Sequence, residues 1–285
     1  MDKKSVSVLI HTLNEEKNIR NCLETVKWAD EIIVVDMYSE DRTVEIAREY
    51  TDKIFSFERL GYADPARQFS LKKASNNWVL SVDADELVPK KLRDKLFTIM
   101  NEDVADVVYV PHNNYFFGDL VRYVGWGASQ DFHARFFKKD FLTYTNDIHA
   151  FIKIKDGARE YKIENPEEGF IHFNYIDVEH FIEKMNRYTT IEAKRLFDSG
   201  ETINSKQLLR RVLGEFKFRY MDLKGYKEGF RGFSLSMLMA MYRLVSYVKL
   251  SLMREHDSKN PRKKISEKYQ NLADEVILEY GKDDK

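Results

Sequence analysis

The chain has 285 residues, of which 43% are hydrophobic and 33% are charged, and its formal net charge is -1. This composition is typical of a globular protein and excludes disordered and membrane-spanning classes. The single cysteine, Cys22, excludes an internal disulfide and a thiolate metal site. Residues 1–5 lead directly into a predicted strand without the apolar segment of a signal peptide, so we expect a cytosolic location.

The N-terminal part of the sequence predicts strands that alternate with helices. Apolar runs predict strands over 5–10, 31–35, 53–57 and 78–82. Asn14 is expected to cap the first helix, Asp41 the second, and Asp64 with Pro65 to open the third. Short strands separated by helices indicate an α/β fold with a doubly wound, mostly parallel sheet.

Polar side chains follow three of these strands. They are Asn14 and Glu15, then Asp36, and then Asp83, Asp85 and Glu86. If the chain stays extended there, Asp83 and Asp85 project from the same side, and such a pair favours Mg²⁺ or Mn²⁺. The alternative is that the acidic residues only cap the helix that Pro89 begins. Three polar clusters at the carboxyl edge of one sheet favour a binding site.

The usual nucleotide-binding fingerprints are missing from this part of the sequence. Neither G-x-G-x-x-G nor a Walker A motif stands between a predicted strand and helix. A bound nucleotide would therefore be held by carboxylates and a metal ion. Asp36, at the end of the second strand, suits a ribose hydroxyl or a base imino group.

Three stretches resemble the motifs of glycosyltransferase family 2, which has the GT-A fold. They are Thr-Leu-Asn-Glu-Glu at 12–16, Val-Val-Asp-Met-Tyr-Ser-Glu-Asp-Arg-Thr at 34–43, and Ala-Arg-Gln at 66–68 followed by 78–86. The chain is most similar to the lipopolysaccharide-core glucosyltransferase-like branch, whose pattern matches 125–126, 131, 135–137, 146–149, 183–188 and 225–233. The resemblance covers most of residues 5–249.

Two positions depart from the family pattern. Tyr38 stands where the family usually has glycine, so the loop after Asp36 is expected to have a different shape or base preference. Ala150 and Phe151 follow His149 where the branch usually has glutamate, so any role of that glutamate is missing or moved.

The resemblance implies an inverting transfer from a nucleotide-diphosphate sugar, with UDP-hexose the favoured donor, to a cell-surface glycan or lipid-linked saccharide. The residues expected to bind the donor are Thr12, Asn14, Glu15, Asp36, Arg67, Asp83, Ala84 and Asp85. Asp131 corresponds to the family's catalytic acidic position, which makes it the expected general base, with Glu86 as second candidate. A helix cap or an ion pair with Arg135 is the alternative for Asp131.

The same resemblance implies a divalent ion, Mg²⁺ or Mn²⁺, that neutralises the leaving diphosphate. Asp83 and Asp85 are its expected ligands, and His149 either completes the shell or is structural. Trp126 and Arg135 are expected at the acceptor. The Trp126 ring either stacks on a sugar or anchors its loop in the core, and Arg135 suits a phosphate or an exposed ion pair.

The periodicity becomes helical in the C-terminal part, so we expect a GT-A domain over 1–175 and a helical extension over 176–285. Residues 206–264 hold 15 basic and 5 acidic residues, which leaves 31 basic and 42 acidic residues elsewhere. The longest uncharged run of 233–253 is 233–242, shorter than the ~20 residues of a spanning helix. We expect peripheral contact with an anionic membrane on its cytoplasmic face, and a helical subdomain or homo-oligomer seam remains the alternative. A nucleic-acid partner is not expected, because no recognition motif accompanies the charge.

Two other functional classes are compatible with parts of the pattern. A non-catalytic nucleotide-sugar-binding or scaffold module with a degenerate active site is suggested by Tyr38 and Ala150. A phosphohydrolase would need paired aspartates after the first strand, where this chain has His-Thr-Leu at 11–13.

Overall fold

The computed structural model describes residues 4–59, 64–147 and 150–283. The chain divides into two compact units, one over Met1–Phe181 and one over Ile182–Lys285. No helix in the described ranges is both long enough and apolar enough to cross a bilayer.

The first half of the N-terminal unit is a parallel sheet whose strands are connected by helices. Its elements are β1 (Val6–Thr12), α1 (Ile19–Val26), β2 (Glu31–Asp36), α2 (Thr43–Ala47), β3 (Ile54–Ser56), α3 (Asp64–Lys73) and β4 (Trp78–Asp83). The strand order is β3-β2-β1-β4, and each neighbouring pair is parallel. Every residue of β1 and β2 is buried, as expected for central strands covered on both faces.

The second half of this unit adds further strands and one helix. Its elements are β5 (Glu86–Leu87), α4 (Lys90–Glu102), β6 (Val107–Phe116), β7 (Asp119–Leu120), β8 (Phe132–Lys138), β9 (Leu142–Asp147), β10 (Ala150–Ile154), β11 (Glu160–Lys162) and β12 (Phe170–Tyr175). β8 runs antiparallel to both β4 and β6, so the complete sheet is mixed. A separate hairpin pairs β9 with β10.

The alternating side chains of β1 build two hydrophobic layers. Val8 and Ile10 join the buried cluster that contains residues of α1 and α4, whereas Leu9 joins the cluster that contains Ala66 and Leu71 of α3. Helices therefore cover both faces of the sheet, which is the predicted doubly wound arrangement.

The carboxyl ends of β1, β2 and β4 lie level with one another. His11 pairs with Asp83, and Thr12 pairs with Asp36. β4 ends at Asp83, a turn follows at 84–85, and β5 then pairs antiparallel with β12. This edge therefore collects the polar residues of three strand ends and of β12.

The C-terminal unit is helical. Its elements are the remainder of α5 (Val178–Asp198), α6 (Ser205–Lys217), a π-helical segment (Phe218–Asp222), a 3-10 segment (Gly225–Glu228), α7 (Gly229–Glu255) and α8 (Pro261–Asp283). Asn204 caps α6 through a reciprocal capping box with Gln207. A small core joins Ala193 of α5 to Tyr247 and Leu250 of α7.

Candidate active site

Asp83, at the end of β4, is the centre of a buried ion-pair cluster. Arg67 Nη2 donates to its two carboxylate oxygens at 2.6 and 2.8 Å, and Arg135 Nη2 donates to Oδ2 at 2.8 Å. Burial would raise the pKa of Asp83, but the guanidinium groups of Arg135 and Arg67 hold it well below its ordinary value. Asp83 is therefore ionised, and its charge is already compensated by the protein.

Glu86 binds two members of this cluster. Its Oε2 accepts from the Asp83 backbone N–H at 2.8 Å and its Oε1 from Arg135 at 3.0 Å. His112 Nε2 lies 3.1 Å from Oε1 but lacks the alignment of a hydrogen bond. Glu86 is 0% exposed, which is at odds with its predicted role as a second catalytic base, because an acceptor hydroxyl cannot reach it.

Arg135 is also placed differently from the sequence prediction. We expected it at the acceptor or in an exposed ion pair, but it is 8% exposed and bound to Asp83 and Glu86. The reason is local: Arg135 stands on β8, the antiparallel neighbour of β4, close to the two buried carboxylates. The ion pair with Arg135, which was the alternative for Asp131, is replaced by other partners: Asp131 pairs with His133, and Arg135 pairs with Asp83 and Glu86.

Asp85 is separated from Asp83 by the turn after β4. The expectation that an extended chain would place both carboxylates on one side is therefore wrong, because residues 84–85 form a turn and Ala84 is buried in the core. Asp85 Oδ2 instead lies 3.4 Å from Nε2 of His172 on β12. Two ligands of one octahedral Mg²⁺ are about 3 Å apart, so this oxygen and nitrogen have a spacing that suits a shared cation.

His172 is held in the form that a metal ligand needs. Its Nδ1 lies 2.7 Å from the Oδ1 of Asn114, a fully buried residue of β6. Asn114 Nδ2 donates to Asp131 Oδ2 at 2.7 Å and to the Trp126 carbonyl at 2.8 Å, which fixes the orientation of the amide. Nδ1 of His172 therefore carries the proton shared with Asn114, and Nε2 faces Asp85.

The charge state of His172 follows from the same neighbours. Burial would lower its pKa, but the Asp85 carboxylate raises it above the ordinary value. Nε2 thus holds a proton more tightly when it faces Asp85 alone. A divalent cation would replace that proton, so the residues present fit such an ion.

Asp131 lies at the start of β8, on the other side of Asn114. Its Oδ1 is 2.8 Å from His133 Nε2, and its side chain is 18% exposed. Burial would raise the pKa of Asp131, but the hydrogen bonds from His133 and Asn114 lower it to about 2. Asp131 is an ionised, partly accessible carboxylate, as a general base must be.

The loop that leads to Asp131 is tightly packed. Gly127 accepts hydrogen bonds from the backbone N–H groups of Gln130 and Asp131. A Cβ at Gly127 would lie 1.8 Å from the Arg122 carbonyl oxygen, so only glycine fits. The Trp126 ring packs on Phe116 with centroids 4.8 Å apart, which favours the loop-anchoring alternative for this side chain.

A second group of possible ligands lies beside the base. Among the described residues, His112, Asp131 and His133 bring ligand atoms within 4.8 Å of one another. His112 Nδ1 lies 3.1 Å from the Val110 carbonyl, and its Nε2 lies 3.1 Å from Glu86 Oε1. Burial lowers the pKa of His112 and favours its neutral form.

Residues at the carboxyl ends of β1 and β2 form hydrogen bonds with the loop that follows β2. Asp36 accepts from the backbone N–H of Ser39 at 3.0 Å and from its hydroxyl at 2.5 Å. Asn14 Oδ1 accepts from the Glu40 N–H, and the Glu15 N–H donates to Thr43 Oγ1. The prediction that Asn14 caps α1 is wrong. Asn14 has a φ of 57° in the preceding loop, and Asn18 occupies the cap position.

Two features of this corner bear on a bound nucleoside. Thr12 Oγ1 is buried and has no hydrogen-bond partner within the described ranges. A cavity of about 300 Å³ opens beside Asp36 and is also lined by Arg48, Asp52 and Ser56. Tyr38 is 61% exposed and has a φ of 61°, the left-handed conformation that glycine adopts readily.

The structure thus brings together Asp83, Asp85, Arg67 and Asp131 and adds residues that the sequence analysis missed. These are His172, Asn114 and His133, which reach the site from strands far apart in the sequence. The spacing of polar residues on β12 and β8 was the only available signal, and it does not indicate a partner. His149, predicted as a metal ligand, lies outside the described residues.

Comparisons with known proteins identify the family of this chain. The model of glycosyl transferase family 2 matches residues 7–158. An uncharacterized glycosyltransferase of Rickettsia typhi is 26% identical over 96% of this chain and 94% of its own. The lipopolysaccharide core biosynthesis glycosyltransferase LpsC of Rhizobium meliloti is 27% identical over 87% of this chain and 92% of its own.

A similar solved structure is the mannosyltransferase PcManGT of Pyrobaculum calidifontis in complex with GDP-Man and Mn²⁺. It is 14% identical, with a TM-score of 0.48 over 87% of this chain and 88% of that chain. The family model covers more than half of the chain and includes β1 to β4, whose ends carry Asp36 and Asp83. The chain is therefore a glycosyltransferase enzyme that belongs to glycosyltransferase family 2 and has the GT-A type of α/β fold.

Proposed function

We propose that this enzyme is an inverting, divalent-metal-dependent hexosyltransferase that uses a nucleotide-diphosphate sugar, with UDP-hexose as the favoured donor. The observation that carries the proposal is one chain of hydrogen bonds. It runs from Asp131 through Asn114 to His172, whose other nitrogen faces Asp85. It thereby links a carboxylate suited to proton transfer with an oxygen–nitrogen pair suited to a cation.

We assign the cation, Mg²⁺ or Mn²⁺, to Asp85 and His172, with His149 as a further ligand to be tested. Asp83 is assigned to the donor side rather than to the metal, because two guanidinium groups already bind it. When bound, the ion neutralises negative charge on the departing diphosphate.

The protein residues then act as follows. Asp131 accepts the proton of the acceptor hydroxyl, whose oxygen forms a bond to the anomeric carbon. The bond from that carbon to the donor phosphate oxygen breaks, and its electron pair leaves with the diphosphate. His133 and Asn114 hold the Asp131 oxygens, so the carboxylate keeps its orientation while it changes charge.

The donor nucleoside is assigned to the corner of Thr12, Asn14, Glu15 and Asp36. The Thr12 hydroxyl and the cavity beside Asp36 support this position. The acceptor is assigned to the saccharide or lipid-linked class, which the lipopolysaccharide core function named for the LpsC relative supports. Trp126 packs on Phe116 but is only half-buried, and it remains the proposed acceptor contact because its loop leads directly to Asp131.

The test compares donors, metals and one variant. Transfer from UDP-glucose, UDP-N-acetylglucosamine and GDP-mannose to a panel of core saccharides is measured with Mg²⁺, Mn²⁺ or chelator. We expect UDP-hexose turnover that requires a metal, and a loss of roughly 10²–10⁴-fold in Asp131→Asn with donor affinity retained. Unchanged turnover in Asp131→Asn, or full activity in chelator, would contradict the proposal.

A further inference from the structure

Helix α7 carries apolar residues on two opposite faces. One face lies in the core of the helical unit and contains Leu235, Ala240 and Leu250. The other face is between 37% and 84% exposed and contains Phe230, Met237, Met241, Leu244, Val248 and Leu252. At about 100° per residue the two sets lie on opposite sides of the helix.

The outer face forms one continuous stripe. From Met237 to Leu252 its members recur every three or four residues, and no charged residue stands on it between Phe230 and Leu252. At about 1.5 Å per residue the stripe is roughly 33 Å long. An amphipathic helix of a globular protein normally turns polar residues to this side, so the stripe indicates a surface that is covered in use.

Helix α6 and the π-helical segment widen this surface. Leu209 and Leu213 of α6 are each 59% exposed, and Met221 is 53% exposed. Phe233 of α7 joins the two helices, because its ring lies 5.7 Å from that of Phe216. The apolar area is therefore a broad face of the helical unit and not a single ridge.

Basic residues are exposed on the helix and the connection that precede α7. Lys206, Arg210 and Lys217 are exposed on α6, and Lys224 and Lys227 are exposed in the connection to α7. The stretch 206–264 has a net charge of +10 in a chain whose total is -1. A covering partner must therefore offer apolar depth and negative charge together.

We propose that this face, defined by the α7 stripe and the basic rim of α6, docks on the surface of an anionic lipid bilayer with α7 parallel to the membrane. A second copy of the chain fits less well, because both copies of this face carry the same excess of basic residues and neither offers the other compensating negative charge. The inference deepens the proposed function, since it places the enzyme where a lipid-linked acceptor resides. The binding itself does not depend on catalysis.

The test is co-sedimentation of the full chain with vesicles. Vesicles of phosphatidylglycerol and phosphatidylcholine are compared with vesicles of phosphatidylcholine alone, at low and high salt. We expect binding to the anionic vesicles that weakens strongly with salt. Met237→Glu combined with Met241→Glu should reduce binding by roughly tenfold or more. Ile277→Glu combined with Leu278→Glu on α8, at positions 65% and 66% exposed, is the matched control and should bind normally.

Two further variants remove charge without changing the apolar face. Arg210 and Lys217 lie on the exposed side of α6. Arg210→Gln and Lys217→Gln should each weaken vesicle binding about fivefold, which corresponds to ~1 kcal/mol per residue. Both sets of variants should keep donor turnover on a soluble acceptor. Vesicle binding is measured separately, so it tests the membrane inference even if the catalytic proposal fails. Equal binding by wild type and both variants would overturn the inference. So would a dimer in ultracentrifugation that Met237→Glu with Met241→Glu converts to monomer without any vesicle binding.

Discussion

Asn114 is the residue whose replacement tests the assembled site most directly. Leucine has nearly the same shape as asparagine but can neither donate nor accept a hydrogen bond. Asn114→Leu would remove the donor to Asp131, the donor to the Trp126 carbonyl and the acceptor for His172 in one step. The variant changes no residue that we expect to touch the donor, the acceptor or the metal.

The size of the effect follows from those three contacts, which are 2.7, 2.8 and 2.7 Å long. Leaving a buried polar group without its partner costs about 1–3 kcal/mol, and the Asp131 bond is charge-assisted. Loss of an outer-shell partner of a metal-bound histidine typically weakens metal affinity about 10–100-fold. We therefore expect weaker metal binding together with a lower kcat.

The assay is transfer activity as a function of Mn²⁺ concentration, together with the thermal unfolding temperature. Asn113→Leu is the matched control, because the Asn113 amide bonds to the Pro166 and Phe170 carbonyls and does not contact the site. Both variants should lose stability, but only Asn114→Leu should shift the Mn²⁺ dependence. A normal Mn²⁺ profile in Asn114→Leu would refute the assignment of His172 as a ligand.

Four further substitutions have outcomes set by the structure. Asp83→Asn leaves two buried guanidinium groups undercompensated and should lower the free energy of unfolding by about 3 kcal/mol, seen in denaturant titration. Gly127→Ala should displace the Asp131 loop and reduce kcat, whereas Gly214→Ala, in open space within α6, should stabilise the protein by about 1 kcal/mol and leave kcat unchanged. Glu31 is buried, which would raise its pKa, but hydrogen bonds from Lys53 and two serines lower that pKa from 4.5 to about 2. Its depressed pKa stabilises the fold above pH ~4.5, and this contribution of about 3 kcal/mol is lost as the pH falls towards 2, so the stability gap between wild type and Glu31→Gln should shrink over that interval.

The elements that follow from local sequence were predictable. The strands β1 to β4 are short apolar runs, and their parallel order follows from the helices between them. The clustering of Asp36 and Asp83 at one edge followed from that order alone. Such predictions succeed because burial on both faces leaves a pattern in the sequence itself.

The partners of the site residues were not predictable in the same way. His172 meets Asp85 because β12 pairs with β5, a contact between residues separated by more than eighty positions. The turn after β4 was also missed, since the sequence there reads as a continued strand. Asn114 belongs to no sequence motif. Its importance comes from three hydrogen-bond partners that are distant in sequence or lie in a loop: Asp131, the Trp126 carbonyl and His172.

The charge of the buried cluster argues that the metal acts in donor binding and not only in turnover. Arg67 and Arg135 look suited to a diphosphate, but Asp83 and Glu86 already match their two positive charges. His11 adds no charge, because burial and the nearby Arg67 lower its pKa to about 3. This cluster at the carboxyl end of β4 therefore offers a diphosphate no net positive charge.

A diphosphate at this edge consequently requires a cation from solution. We expect UDP to bind in calorimetry with Mn²⁺ or Mg²⁺ present and to lose at least roughly tenfold in affinity in chelator. Asp85→Asn should reproduce that loss with metal present, because it removes the carboxylate that faces His172. If the chelated enzyme bound UDP as tightly as the metal-loaded enzyme, the two arginines would have to release Asp83 and Glu86 to the ligand, and the charge argument would be wrong.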